Sequence, residues 1–309
     1  MTISAADRTA LAELDFRLRT VLPEEYQDSY ETVQPVSMGS AGLKYGDDGN
    51  VAWDEIWDTF CDLAMAGGPP HKGRLLEPGT RAEVAARPEH HQHVVDEICR
   101  GITMVTDLPA DISPMPGWVR VRCYSDVMAG WLLRAIVMEN VAVHAEGKAL
   151  ELPAAPHFRL EKEIKNVITV VAKTCHYYMG HMPRAQQRAI AALFTALAAE
   201  SPLAQPALSD DGLETAADAQ LHESMATRIL GLTGLHALPR QYAGWLGVEC
   251  PDVRAAVWMM RAMVVSNVLA RREGTVLFVP VNPSTDPDGE RVSQHLARVR
   301  HLAAVRDVL

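Results

Sequence analysis

Two segments of this chain repeat each other. Trp131–Pro153 and Trp258–Pro280 align without a gap, and ten of the 23 aligned positions are identical. Composition alone would give about one or two identities over such a length. Two further segment pairs extend the match upstream: Gly117–Cys123 with Gly244–Cys250 at the same offset, and Gly101–Pro109 with Gly231–Pro239 after a short length change. The sequence therefore predicts a tandem duplication, in which one structural unit is folded twice.

The elements of one unit can be predicted from the first copy. Val119, Val121 and Cys123 alternate with arginines, a pattern typical of a strand with one buried face. Ser125 lies where an N-cap belongs, ahead of an apolar helix from about Asp126 to Glu139. Apolar alternation on both sides of Glu146 and Gly147 then predicts a hairpin with a glycine turn. A long helix is expected to follow in each copy: from about Leu160 to Met182, and from about Asp288 to Leu309.

The predicted class is α+β, a pseudo-twofold tandem duplication of a helix–β-α-β-β–helix unit. The order of elements in this unit resembles part of a ferredoxin-like plait. Helices Trp53–Met65 and Gln187–Glu200 are expected to occupy equivalent positions in the two copies. We predict an N-terminal extension (1–52) with a lead helix, Ala5–Val21, and a small hairpin that turns at Asp47–Gly49. The first repeat is then 53–182 and the second is 183–309.

Composition narrows the classes of partner. A chain of 309 residues that is 48% hydrophobic is long enough to bury two cores. Its formal charge of −10 argues against a nucleic-acid partner, which would require a basic surface. Five cysteines without a CxxC motif, no secretory signal and no long apolar run favour a cytoplasmic protein with no membrane partner. No common cofactor motif is present, so the sequence identifies no cofactor.

Residues that match between the copies are expected to serve the fold. The apolar matches, which we assign to the core, are Trp118 with Trp245, Trp131 with Trp258, and Cys123 with Cys250. The polar matches are Arg134 with Arg261 and Asn140 with Asn267. We expect the arginines to reach a carboxylate and the asparagines to end a helix in the left-handed conformation.

Polar residues present in only one copy are candidates for function. Two groups in the first copy are rich in cations, while the counterpart of the first group is almost uncharged. The loop group is His71, Lys72 and Arg74. The helix group is Lys162, Lys165, Asn166, Thr169, Lys173 and His176, on the face opposite Ile164, Val167 and Ile168. Such groups can hold a carboxylate or a phosphate. The alternative for each is an ordinary solvated surface.

We therefore expect one cleft, built mainly by the first repeat, for a small anionic metabolite that carries phosphate or carboxylate. The ligand-binding candidates are His71, Lys72, Arg74, Lys165, Asn166 and Thr169. If the site is catalytic, His176 would be the general acid or base and Lys173 its electrostatic partner. Whether the protein is an enzyme is left open. The alternative is a structural or regulatory scaffold for a protein partner, whose lysine face would be flat and solvated.

Metal binding is the third possibility, and we assign no metal ligand. Asp54, Asp58 and Asp62 are spaced to form an acidic stripe on the predicted helix Trp53–Met65. His93 and Glu97 have the spacing that lets two ligands share an ion on a helix. His176 and His181 are five residues apart, which is a poor spacing for one site on an α-helix.

Overall fold

The computed structural model describes residues 3–24, 27, 42–55, 72–208 and 216–309. The helices are α1 (Ala5–Val21), α2 (Arg81–Ala86), α3 (Pro88–Thr106), α4 (Asp126–Met138), α5 (Lys165–His176), α6 (Arg184–Glu200), α7 (Ala216–Thr233), α8 (Val253–Val265) and α9 (Glu290–Val305). The strands are β1 (Ala110–Ile112), β2 (Trp118–Arg122), β3 (His144–Glu146), β4 (Ala149–Pro153), β5 (Trp245–Glu249), β6 (Arg271–Glu273) and β7 (Val276–Pro280). Helices and two small antiparallel sheets confirm the α+β class. None of the described helices is both long and apolar enough to cross a bilayer.

The described residues form two compact units. The first unit contains the described residues from 42 to 182, and the second contains α1 together with the described residues from 183 to 309. Within the second unit, α1 packs against α6, α8 and α9. Within the first, the predicted hairpin is present, with Tyr45 bridged to Val51. The predicted helix Trp53–Met65 is described only over Trp53–Glu55, a single 3-10 turn, and its remainder lies outside the described residues.

The sheet of the first unit has the order β1-β2-β4-β3, with every pair antiparallel. Val119 and Val121 of β2 are fully buried, as their alternation predicts. The Ser125 hydroxyl accepts a hydrogen bond from the Met128 N–H and begins α4, which confirms the predicted N-cap. Gly147, with φ of 56°, forms the turn between β3 and β4.

The sheet of the second unit has the order β5-β7-β6 and is also antiparallel. An aspartate, Asp252, caps α8 through the Ala255 N–H, in the place that Ser125 takes before α4. Two isolated bridges, Ala237 with Val248 and Tyr242 with Trp245, involve β5, whereas in the first unit the strand β1 pairs with β2. Both sheets thus carry a helix and a hairpin in the same chain order.

The two asparagines that the sequence pairs have the same conformation. Asn140 has φ of 59° and Asn267 has φ of 64°, which confirms that each lies in the left-handed region after its helix. Each side chain also holds a preceding loop: the Asn140 amide donates to the Lys72 carbonyl and the Asn267 amide to the Ser201 carbonyl, both at 2.9 Å. Asparagine is needed here because it combines a left-handed backbone with a side-chain donor.

The sequence match upstream of the strands, Gly101–Pro109 with Gly231–Pro239, does not align the residues that make the same hydrogen bonds. The Thr106 hydroxyl donates to the Ile102 carbonyl and accepts from the Leu108 N–H. Thr233 makes the same two bonds in the second unit, to Ile229 and from Leu235. The residues that make these bonds are separated by the same offset as the downstream match, whereas the pairing of Gly101–Pro109 with Gly231–Pro239 assumed a length change. That alignment arose because both segments begin with glycine and end with Leu-Pro.

The six matched apolar residues are all buried, as predicted, with Trp131 and Trp258 almost completely enclosed. Arg134 is also buried, and its guanidinium donates to the Gly130 carbonyl one turn earlier in α4. The second unit buries an arginine that the sequence did not single out. Arg271 lies over the rings of Tyr242, Trp245 and Phe278 and pairs with Glu273 at 2.7 Å.

The predicted helix from Leu160 to Met182 is α-helical only in its middle part. Leu160–Ile164 and Tyr177–His181 are π-helical segments on either side of α5. The Met182 N–H donates to the Tyr177 carbonyl at 2.9 Å, and the Ile164 N–H donates to the Arg159 carbonyl at 3.2 Å. These are i to i+5 bonds, so side chains five residues apart come onto one face.

Candidate functional site

A buried ion pair links α4 to α5 in the first unit. The Lys173 Nζ lies 2.6 Å from the Glu139 Oε1, and the two side chains are only 7% and 1% exposed. Glu139 also accepts the Lys72 N–H through its carbonyl, at 3.2 Å. Because Asn140 holds the Lys72 carbonyl as well, the two residues at the end of α4 join the predicted basic loop to the predicted basic helix.

Glu139 was not predicted as part of the site, although the sequence contains a signal for it. The position lies within the aligned segments Trp131–Pro153 and Trp258–Pro280, where its partner in the second copy is Ser266. Glu139 is charged whereas the aligned Ser266 is not, so the rule that selects residues differing between the aligned segments could have selected it. To predict that Lys173 pairs with Glu139, one must know that α4 packs against α5, and no local sequence pattern predicts that contact.

Three cations from two segments lie within electrostatic range of one another. We call Lys72, Arg159 and Lys162 the basic cluster. Burial lowers the pKa of Lys72, and the like charges of Lys162 and Arg159 lower it further, while the carboxylate of Glu163 raises it. Glu163 is itself paired with Arg159, at 3.2 Å. Glu161 is a second carboxylate within electrostatic range of Arg159. The cluster still has more positive than negative charge, and its cations come from the loop, from the N-cap residue Arg159 and from the π-helical segment Leu160–Ile164.

The remaining predicted ligand-binding residues have different environments. Lys165 and Asn166 are half-buried in the first turn of α5, and Arg74 is exposed in the loop. Thr169 is buried, and its hydroxyl donates to the Lys165 carbonyl at 2.6 Å, a bond within the helix. His71 lies outside the described residues.

His176 and His181 are in contact. Their Nε2 atoms are 3.1 Å apart, and both side chains are exposed. The prediction of a poor spacing assumed an α-helix, whereas the chain is π-helical here and the spacing of five brings the two rings together. Tyr177 stacks on His181 on one side and on the buried Trp131 on the other. Burial, and then the charge of His181, lower the pKa of His176.

The other metal and nucleophile candidates are weakened by their surroundings. The Glu97 carboxylate accepts the Trp53 indole N–H at 2.7 Å and two hydrogen bonds from Arg100, so its oxygens are engaged away from His93. Asp54 is exposed, while Asp58 and Asp62 lie outside the described residues. Within the described part of the chain, no three His, Cys, Asp or Glu side chains are grouped for one metal ion. Burial raises the pKa of Cys175 well above its usual value, which makes it a poor nucleophile.

The second unit has an open cavity of about 90 Å³. Its charged lining is two arginines and two glutamates: Arg17, Arg298, Glu13 and Glu200. This volume is small beside the roughly 300–1,000 Å³ of typical ligand pockets. The balance of charges, with Arg17 already paired to Glu13, gives it no preference for an anion. The basic cluster of the first unit is therefore the better candidate for an anionic ligand.

No protein-family model, curated protein sequence or solved structure matches this chain.

Proposed function

We propose that the first unit binds a small anionic molecule carrying phosphate or carboxylate, at the basic cluster. The observation that carries this proposal is that three cations from two segments, Lys72, Arg159 and Lys162, lie within electrostatic range of one another, with two carboxylates, Glu163 and Glu161, beside them. Charge-assisted hydrogen bonds from arginine and lysine are the usual means of holding such groups. Cations held close together repel one another, and a bound anion would relieve this repulsion.

The buried pair of Lys173 and Glu139 lies next to the segment that carries Lys72, because the Glu139 carbonyl accepts the Lys72 N–H. The scaffold alternative expects a flat, solvated lysine face, whereas Lys173 is only 7% exposed. Since the Glu139 carboxylate offsets its charge, Lys173 is proposed to position the loop that carries Lys72, and the ligand charge is assigned to the basic cluster. His176 as a general acid or base stays a prediction, and the proposal specifies no reaction.

Thermal denaturation of the protein against a panel of phosphorylated and carboxylated metabolites tests the proposal. A ligand at about 100 times its dissociation constant should stabilise the native protein by about 2.7 kcal/mol. We expect at least one compound to do so in the wild type and to lose most of its effect on Lys162→Met. Methionine keeps the length and apolar stem of lysine while removing its charge.

The matched control is Lys148→Met, an exposed lysine in the turn between β3 and β4. This variant should respond to the ligand as the wild type does. If every compound leaves the melting temperature of the wild type unchanged, or if Lys148→Met loses the response as fully as Lys162→Met, the proposed function is wrong.

We also propose that the two units arose by tandem duplication. Support comes from hydrogen bonds that recur at a constant offset, such as Cys123 N–H to Lys148 carbonyl and Cys250 N–H to Thr275 carbonyl. In both units the strand before the central helix pairs with the second strand of the hairpin. We propose that this order resembles part of a ferredoxin-like plait.

A further inference from the structure

The pair formed by His176 and His181 has the geometry of a metal chelate. Zinc binds histidine nitrogens at about 2.0–2.1 Å, so two such nitrogens on one ion lie about 2.9–3.4 Å apart for angles between square and tetrahedral. The observed separation of the two Nε2 atoms, 3.1 Å, falls within this range. We propose that His176 and His181 together bind one divalent transition-metal ion, such as Zn²⁺, through Nε2.

The helix geometry explains why five residues separate the ligands. On an α-helix, two histidines share a metal when they are four residues apart. In the π-helical segment Tyr177–His181, each turn takes one more residue, so His181 comes directly over His176. Single π-helical turns occur frequently at functional sites, because they insert one residue to re-aim a side chain.

The core of the unit holds the second ligand in place. Tyr177 stacks on Trp131 with ring centroids 6.0 Å apart, and on the His181 ring at 6.1 Å. Trp131 is completely buried in α4. The His181 ring is therefore oriented by packing that extends into the core, and a chelate gains affinity when its ligands are positioned before the metal arrives.

Metal binding here involves a change of tautomer. In the hydrogen-bonded pair one Nε2 donates to the other, whereas a metal ion needs the lone pairs of both. The donating ring moves its proton to Nδ1, and two neutral rings bind the ion without net release of protons. Two histidines leave the other coordination positions open to water or to a donor atom of a bound molecule. This proposal does not depend on the anion site.

Zinc titration of metal-free, untagged protein by isothermal titration calorimetry tests the chelate. We expect one equivalent of Zn²⁺ to bind, with the affinity reduced at least tenfold in His176→Gln and in His181→Gln. The matched control is His93→Gln, an exposed histidine on α3 that also tests the rival pairing with Glu97. Its zinc affinity should equal that of the wild type.

Electron paramagnetic resonance of the Cu²⁺-loaded wild type provides a readout that needs no variant. Hyperfine structure from two coordinated imidazole nitrogens is expected. The proposal is overturned if the wild type binds no stoichiometric zinc, if both glutamine variants at the pair keep wild-type affinity, or if the copper spectrum shows fewer than two such nitrogens. Any of these results would mean that the two histidines are only hydrogen-bonded to each other.

Discussion

Replacing Gly117 with alanine is expected to destabilise the native protein by about 3–5 kcal/mol. Gly117 lies just before β2 with φ of 83°, and a Cβ atom there would be 2.0 Å from the carbonyl oxygen of Gly79. The neighbouring backbone cannot easily move aside, since the Gly79 N–H donates to the Ala154 carbonyl and the Ala154 N–H donates to the Gly117 carbonyl. Urea denaturation, followed by circular dichroism, measures the change in the free energy of unfolding.

Gly147→Ala is the matched control for this substitution. Gly147 also has a positive φ, 56°, but a Cβ atom there would meet no atom within 4 Å. The backbone conformation alone costs an alanine about 1–2 kcal/mol. The difference between the two variants isolates the contact with Gly79. Equal destabilisation by the two variants would show that the close approach of the two backbone segments is absent.

The second large effect is expected from Glu139→Gln. The substitution keeps the shape of the side chain but leaves the Lys173 ammonium buried without its carboxylate, and breaking a buried ion pair costs about 3–5 kcal/mol. Glu13→Gln is the control: Glu13 pairs with Arg17 at the surface, where such a pair contributes about 1 kcal/mol or less.

A double substitution separates the buried charge from the loss of packing. Replacing a buried pair by apolar residues of similar volume is often neutral. We therefore expect Glu139→Leu combined with Lys173→Met to recover most of the stability lost in Glu139→Gln. Chemical denaturation of the variants gives the comparison. If Glu139→Gln is no more destabilising than Glu13→Gln, the buried pair does not hold α4 to α5.

Local chemistry predicted much of the fold correctly. The N-cap at Ser125, the left-handed Asn140 and Asn267, and the glycine turn at Gly147 each follow from a residue and its immediate neighbours. The burial of Trp131 and its partner followed from internal comparison. The caps and turns are set by interactions over a few residues, and the buried tryptophans occur in both aligned segments. One sequence is therefore sufficient to predict these features.

The contacts of the candidate site were harder to predict. The pairing of Lys173 with Glu139 depends on the packing of two helices that are far apart in sequence. The contact of His176 with His181 depends on the π-helical turn, whereas a helical wheel assumes a constant angle per residue. The basic cluster brings in Arg159, which the sequence pattern did not select, and Lys162, which the pattern placed on the polar helix face but not among the ligand-binding candidates, because the start of the long helix lies within electrostatic range of Lys72.

The central claim, that the basic cluster binds an anion, is tested most directly by calorimetric titration of the strongest stabilising compound from the metabolite panel. The proteins compared are the wild type, the double variant Lys72→Met with Lys162→Met, and the control Lys148→Met. Each charge-assisted hydrogen bond contributes about 1.5–3 kcal/mol, so loss of two cations should weaken binding about a hundredfold or more. The account predicts this loss in the double variant and wild-type affinity in Lys148→Met. Equal affinity in all three proteins would contradict it.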